Sequence, residues 1–196
     1  MKVAILMLAV TLALPVTPSF AADTVPSIGR LNYAGFRTKR HCTVSLVGRQ
    51  MALTAKHCVE GLPRDRLRIV LGYERGNWKE LHEVSRIIRV EKQDVAWLCL
   101  AKPSRLKPLR VQSNSREKAI ATATGYPRSA AHLQNPQQCH LQAGSPRARF
   151  LCPMEPGMSG APVVQETNEG RQIVAVVSGN SGSSSVVERV PTPPEC

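Results

Sequence analysis

Three short stretches of this chain carry residue types able to perform acyl transfer. Leu53-Thr54-Ala55-Lys56-His57-Cys58 offers a base. Asp94-Val95-Ala96-Trp97-Leu98 offers an acid that leads into an apolar run. Gly157-Met158-Ser159-Gly160-Ala161-Pro162 offers a serine between glycines. A serine hydroxyl is a poor nucleophile until a base removes its proton during attack, and histidine suits the task because it titrates near neutrality. A buried carboxylate holds the right imidazole tautomer and stabilises the imidazolium that forms. Backbone N–H groups must then face the developing oxyanion, and glycine beside the serine lets the chain turn sharply enough to present them. His57, Asp94 and Ser159, with the N–H groups of Gly157 and Ser159, fill these roles. A fourth stretch, Val176-Val177-Ser178-Gly179, places another serine nineteen residues after Ser159.

The elements that must position these residues read as short strands. Residues 23–41 are mixed and polar and read as a lead-in over the barrel surface. Apolar runs then alternate with turn signals, as in an all-β protein: Thr43–Val47, Met51–Ala55, Leu67–Leu71, Glu83–Val90 and Val95–Leu100. Val95 to Ala101 is continuously apolar, which suits a strand buried on both faces. Lys102 to Ser115 reads as a connector. The second half offers Ala119–Thr124, Cys139–Ala143, Arg149–Cys152, Ala161–Gln165, Ile173–Ser178 and Ser185–Val190. No amphipathic helix of ten residues is evident in the mature chain, and Cys58 to Gly61 reads as one short helical turn. Five or six strands, a connector and six more suggest two small barrels, which leave no free sheet edges. On pattern alone a sandwich stays open.

Lys2, the apolar run Val3–Val16 and the small residues of Ser19-Phe20-Ala21 read as a cleaved secretory signal over residues 1–21. A mostly apolar run of about fourteen residues is short for a membrane anchor, and no second run of that length follows. An exported chain meets an oxidising compartment, where six cysteines suggest disulfides. Composition does not choose among the pairings, and no C-x-x-C spacing points to zinc. The formal charge is +12 over the whole sequence. The bases are spread along the chain and aromatic residues are few, so a well-solvated basic surface is expected rather than a nucleic-acid platform.

The three chemical stretches resemble the motifs of the trypsin-like serine protease family. Thr54-Ala55-Lys56-His57-Cys58 is similar to T-A-x-H-C, Asp94-Val95-Ala96 to D-[IV]-A, and Gly157 to Pro162 to G-D-S-G-G-P. The order His, Asp, Ser matches as well. The resemblance covers roughly residues 28–190 and implies an all-β fold of two packed six-stranded antiparallel β-barrels with the site in the cleft between them. The peptidase domain would span 22–190, its first barrel about 28–105 and its second about 116–190, with a tail over 191–196. It implies a serine endopeptidase with His57, Asp94 and Ser159 as catalytic triad and Gly157 and Ser159 as oxyanion donors. Ser178, Gly179 and Asn180 would bind substrate backbone. Disulfides Cys42–Cys58 and Cys139–Cys152 are implied, and a bridge between the remaining Cys99 and Cys196 would tie the tail to the first barrel. No cofactor or metal is implied. A secreted or periplasmic monomer acting on polypeptides is expected, without nucleic acid and without a membrane span once the signal is removed. The short loops suggest a bacterial member.

The sequence also departs from the family pattern. Met158 stands where many members carry an aspartate that pairs with a newly freed N-terminus, and the I-V-G-G start is absent, Ser27-Ile28-Gly29-Arg30 being the nearest segment. Activation through that ion pair is not expected. Lys56 stands beside the base, its side chain expected in solvent. Pro153 stands at the specificity position of trypsins, against an Arg/Lys preference, and Val177 argues against a Glu preference. Gly179-Asn180-Ser181-Gly182 repeats G-x-S-G but reads as a flexible polar loop at the pocket rim. His41, His82, His132 and His140 read as surface or strand residues, Asp65 and Glu155 as solvated acids, and Trp78 and Trp97 as core. The altered serine motif leaves a second function open: a catalytically silent trypsin-fold binding module at the cell envelope.

Overall fold

The first half forms six mostly buried strands: β1 (Ile28–Tyr33), β2 (His41–Gly48), β3 (Met51–Thr54), β4 (Leu67–Leu71), β5 (Glu80–Arg89) and β6 (Ala96–Leu100). They close as an antiparallel barrel in the order β1-β2-β3-β6-β5-β4, with β1 paired to both β2 and β4. After β7 (Arg110–Val111), the second half supplies β8 (Ala119–Gly125), β9 (Asn135–Gln142), β10 (Arg147–Phe150), β11 (Pro162–Thr167), β12 (Gly170–Ser181) and β13 (Ser184–Arg189). These run β11-β8-β9-β10-β13-β12, and the β11–β12 pairing closes a second six-stranded barrel to which β7 adds in parallel. This computed structural model describes residues 24–112, 119–142, 144 and 147–196. The signal segment, residues 113–115 of the connector and Ala143 therefore lie outside the described residues.

The polar lead-in over 23–41 is corrected: it holds β1. Its sequence, IGRLNY, hides a strand because Arg30 and Asn32 are buried polar residues. The Arg30 guanidinium donates to Arg37 O and lies over the Phe36 ring, 3.8 Å from its centroid, which supplies the cation with partners inside the protein. Gly179, Asn180 and Ser181, expected in a loop, belong to β12, and only the tip at Gly182 and Ser183 turns out of the β12–β13 hairpin. The helical turn comes earlier than expected, over Lys56–Cys58, and so carries His57 itself. Trp78 is a further correction. It is 54% exposed, on the loop between β4 and β5, whereas Trp97 is 1% exposed.

The unbroken apolar run of β6 has a simple cause. Ala96, Leu98 and Leu100 face the core of the first barrel with Val44, Leu46 and Ile69. Val95 and Trp97 face the other way, into a cluster with Leu53, Val164, Ile173, Val176 and Val190. That second cluster joins β3 and β6 of one barrel to β11 and β12 of the other. Each fully buried aliphatic side chain there contributes about 1.5–3 kcal/mol, so the barrels are held face to face by apolar packing, and the polar residues at the rim of the contact have fixed partners.

Candidate active site

His57 stands in the turn that follows β3, with Cys58 bonded to Cys42 of β2. Asp94 closes the loop between β5 and β6, where Val90 N–H donates to Val95 O at 3.0 Å. The two residues meet twice: Asp94 Oδ2 lies 2.7 Å from His57 Nδ1, and Asp94 Oδ1 accepts the His57 backbone N–H at 2.8 Å. A third donor comes from the other barrel, the Ser178 hydroxyl, 2.6 Å from Asp94 Oδ2. Burial of Asp94 works to raise its pKa, but the hydrogen bonds from the His57 ring, Ser178 and the His57 backbone outweigh it and hold the group at about 2. An ionised carboxylate only accepts, so His57 Nδ1 carries a proton and Nε2 of the neutral ring keeps its lone pair. The carboxylate side chain is 18% exposed and the imidazole 44%: the carboxylate is shielded while the imidazole is open to solvent.

Lys56 does not point to solvent as expected. Its Nζ lies 3.3 Å from both Val90 O and Glu91 O, across the loop that carries Asp94.

Ser159 lies on the second barrel, between Gly157 with φ +96° and Gly160 with φ +83°. Both angles are in the left-handed region that glycine adopts without steric cost. At Gly160 the reason is close approach as well: a Cβ there would run into Thr43 O and Thr54 Oγ1 of the first barrel. The neighbouring carbonyls set the direction of the backbone donors. Pro156 O accepts from Arg128 N–H at 2.8 Å, and Met158 O accepts from Ala161 N–H at 2.8 Å. A trans peptide points its N–H opposite its C=O, so the Gly157 and Ser159 N–H groups face away from those partners. Neither has an acceptor among the described residues, whereas Met158 N–H bonds Glu155 O and Gly160 N–H bonds Val177 O.

Ser159 is tied to the first barrel through its carbonyl, which accepts from Thr43 N–H at 2.8 Å. Cys58 Sγ lies 3.9 Å from that carbonyl and 3.7 Å from His57 Nε2, so serine and histidine border the same disulfide. The Ser159 hydroxyl makes no hydrogen bond among the described residues. Cys42, His57 and Cys58 form a group close enough to surround a metal ion, but both sulfurs are spent in the disulfide and have no thiolate to offer. A cleft lined by Arg40, His41, His57, Glu60 and Leu62 opens on the histidine's side.

The remaining sequence candidates fall around this centre. Ser178 turns its hydroxyl to Asp94, a role the sequence did not suggest. Asn180 Oδ1 accepts from Met154 N–H at 2.8 Å and lies 3.0 Å from Ser185 Oγ, bridging the segment before Ser159 to β13. Cys139 is bonded to Cys152, and Cys99 to Cys196. His82 pairs with Glu80, His132 contacts Tyr73, and His140 lies on β9. His41, the first residue of β2, is buried with Nε2 2.7 Å from Tyr126 O.

Two closed six-stranded antiparallel barrels with almost no helix define the trypsin-fold class of proteins. The Trypsin family model matches residues 19–192, and the chain belongs to that family. Comparison with curated protein sequences finds no match. Among solved structures, the chain is similar to the thermostable serine protease AL20 from an extremophilic microorganism (15% identity, 84% of this chain and 91% of that one, TM-score 0.69). It is similar to the protease Anisep from Arthrobacter nicotinovorans (16% identity, 85% and 91%, TM-score 0.70). It is similar to the VesB protease of Vibrio cholerae (19% identity, 84% and 60%, TM-score 0.70). At these identities the likeness is one of fold.

Proposed function

We propose that the chain is an exported serine endopeptidase that cuts peptide bonds with His57, Asp94 and Ser159. The observation that carries this reading is the 2.7 Å contact of His57 Nδ1 with an ionised Asp94, which leaves Nε2 as the base. In the reaction, Nε2 takes the Ser159 proton as Oγ attacks the substrate carbonyl carbon. The oxyanion accepts from the N–H groups of Gly157 and Ser159. Collapse of the tetrahedral species breaks the C–N bond, and His57 returns its proton to the leaving amine. Water, activated by His57 in turn, hydrolyses the acyl-enzyme. Contacts of this kind often tighten only with substrate in place, and closure of Ser159 Oγ onto Nε2 belongs to that step.

Substrate backbone would pair with β12 at Ser178–Asn180. Asn180, tied to Met154 and Ser185, would narrow the space beside Ser159 and so favour a small, uncharged residue at the cleavage site, in agreement with Pro153. Three disulfides support action in an oxidising compartment, secreted or periplasmic.

The test is labelling of the folded, oxidised protein with a fluorophosphonate probe, beside Ser159→Ala and Ser181→Ala, with the labelled residue mapped by mass spectrometry. Labelling at Ser159 that is lost only in Ser159→Ala is the expected result. Labelling at Ser181 would overturn the site, and no labelling would favour the silent binding module.

A further inference from the structure

Thr43 is fully buried at the seam of the two barrels and uses every polar atom it has. Its N–H donates to Ser159 O at 2.8 Å. Its hydroxyl donates to Gly157 O at 2.9 Å and accepts Tyr126 N–H at 3.0 Å. Its carbonyl accepts from Thr54 Oγ1 at 2.8 Å. One residue of the first barrel thus grips the carbonyls of Gly157 and Ser159, the two residues whose N–H groups have no acceptor among the described residues. Rotation of either gripped peptide plane would swing the segment that presents those donors, and a peptide plane with a buried, hydrogen-bonded carbonyl resists rotation. His41 closes the same seam, since Nε2 meets Tyr126 O and a side chain at Gly157 would strike its ring. Met158, between the gripped residues, is fully buried and uncharged, packed among Ala121, Ala123 and Val163. No ion pair through its side chain is available to hold the segment. Ile28, the nearest counterpart of a cleaved N-terminus, already lies inside β1, with its N–H on Val25 O.

We propose that Thr43 is a positioning residue whose hydroxyl, acting across the barrel interface, holds Gly157–Ser159 in the conformation that presents both oxyanion donors, so that the site is formed without a new N-terminus. This rests on the reading of Ser159 as nucleophile. Thr43→Val keeps the shape of the side chain and removes both hydroxyl bonds, while Thr43→Ser keeps the hydroxyl. Losing an oxyanion donor outright slows acyl transfer by roughly 10²–10³-fold, and loosening both donors should slow it by roughly tenfold or more.

The experiment measures saturation kinetics of Ser159 modification by an alkyl fluorophosphonate, whose phosphoryl oxygen occupies the same hole, together with the thermal midpoint of each variant. The expected result is a limiting rate at least about tenfold lower in Thr43→Val at similar half-saturating probe concentration, with Thr43→Ser within about threefold of the native rate. If Thr43→Val does not fold, Thr43→Ala carries the same comparison. Native rates in Thr43→Val would overturn the proposal, and so would a Thr43→Ser variant as slow as Thr43→Val, because the methyl packing and not the hydroxyl would then matter. Failure of the unmodified protein to react at Ser159 is a different result and would overturn the underlying reading itself.

Discussion

Removal of the Ser178 hydroxyl weakens the charge on Asp94 and leaves the fold in place. Three hydrogen bonds reach this carboxylate: the His57 ring, the His57 backbone and Ser178 Oγ at 2.6 Å. Together they overcome the cost of burial and lower its pKa from 3.8 to about 2. At full strength a lowering from 3.8 to about 2 corresponds to about 2–3 kcal/mol, and solvent in the cleft reduces this to about 1–2 kcal/mol. Ser178 is one donor of three, so Ser178→Ala costs about a third of this, under about 1 kcal/mol, or a lowering of Tm by about 2 °C in a domain of this size. The sign follows from linkage: a carboxyl whose folded pKa is depressed stabilises the protein above its unfolded pKa and loses that contribution as pH falls through the folded value. The Tm difference between native protein and Ser178→Ala is therefore full at pH 6 and shrinks as pH falls from about 4 towards 2. Thermal unfolding across this range measures it, and the same comparison in an Asp94→Asn background supplies the control. A difference independent of pH, or one that keeps the same pH dependence in Asp94→Asn, would refute the account of Asp94 as an ionised acceptor of this hydroxyl.

Two further outcomes follow from the same contacts. Asn180→Gly deletes the bridge between Met154 N–H and Ser185 Oγ. It is expected to raise cleavage after large apolar residues relative to small ones by about tenfold or more, and an unchanged peptide-library profile would count against the proposed narrow site. Gly160→Ala forces a side chain into Thr43 O at a φ of +83°. It should cost about 3 kcal/mol or more in urea unfolding, and a loss below about 1 kcal/mol would mean that the seam is looser than described.

The strands with alternating or continuous apolar runs were legible in the sequence to within a few residues, because half-buried and doubly buried strands leave those patterns. β4 was read at its observed bounds, Leu67–Leu71. β1 was not legible, since its buried Arg30 and Asn32 break the apolar pattern, and Arg30 finds partners only after Phe36, Arg37 and Tyr73 fold around it. Trp78 misled for the opposite reason: a large apolar residue is counted as core until the turn on which it sits is seen to lie outside. Lys56 could not be oriented from its place beside His57. The carbonyls of Val90 and Glu91 that receive it lie more than thirty residues away.

The sequence by itself determined the chemistry on offer: a base, an acid and a glycine-flanked serine in the order His57, Asp94, Ser159, within a chain patterned for short strands. Residue identity and local spacing are sufficient for that, because turn glycines, strand periodicity and functional groups are local properties. Tertiary structure alone decided how those groups are held. Ser178 reaches Asp94 from the second barrel, Thr43 grips Gly157 and Ser159 from the first, and Asn180 ties two segments beside the serine. The Ser178–Asp94 and Thr43–Gly157 bonds join residues 84 and 114 positions apart, brought together only when apolar packing of Trp97 and Leu53 against Ile173 and Val176 docks one barrel on the other.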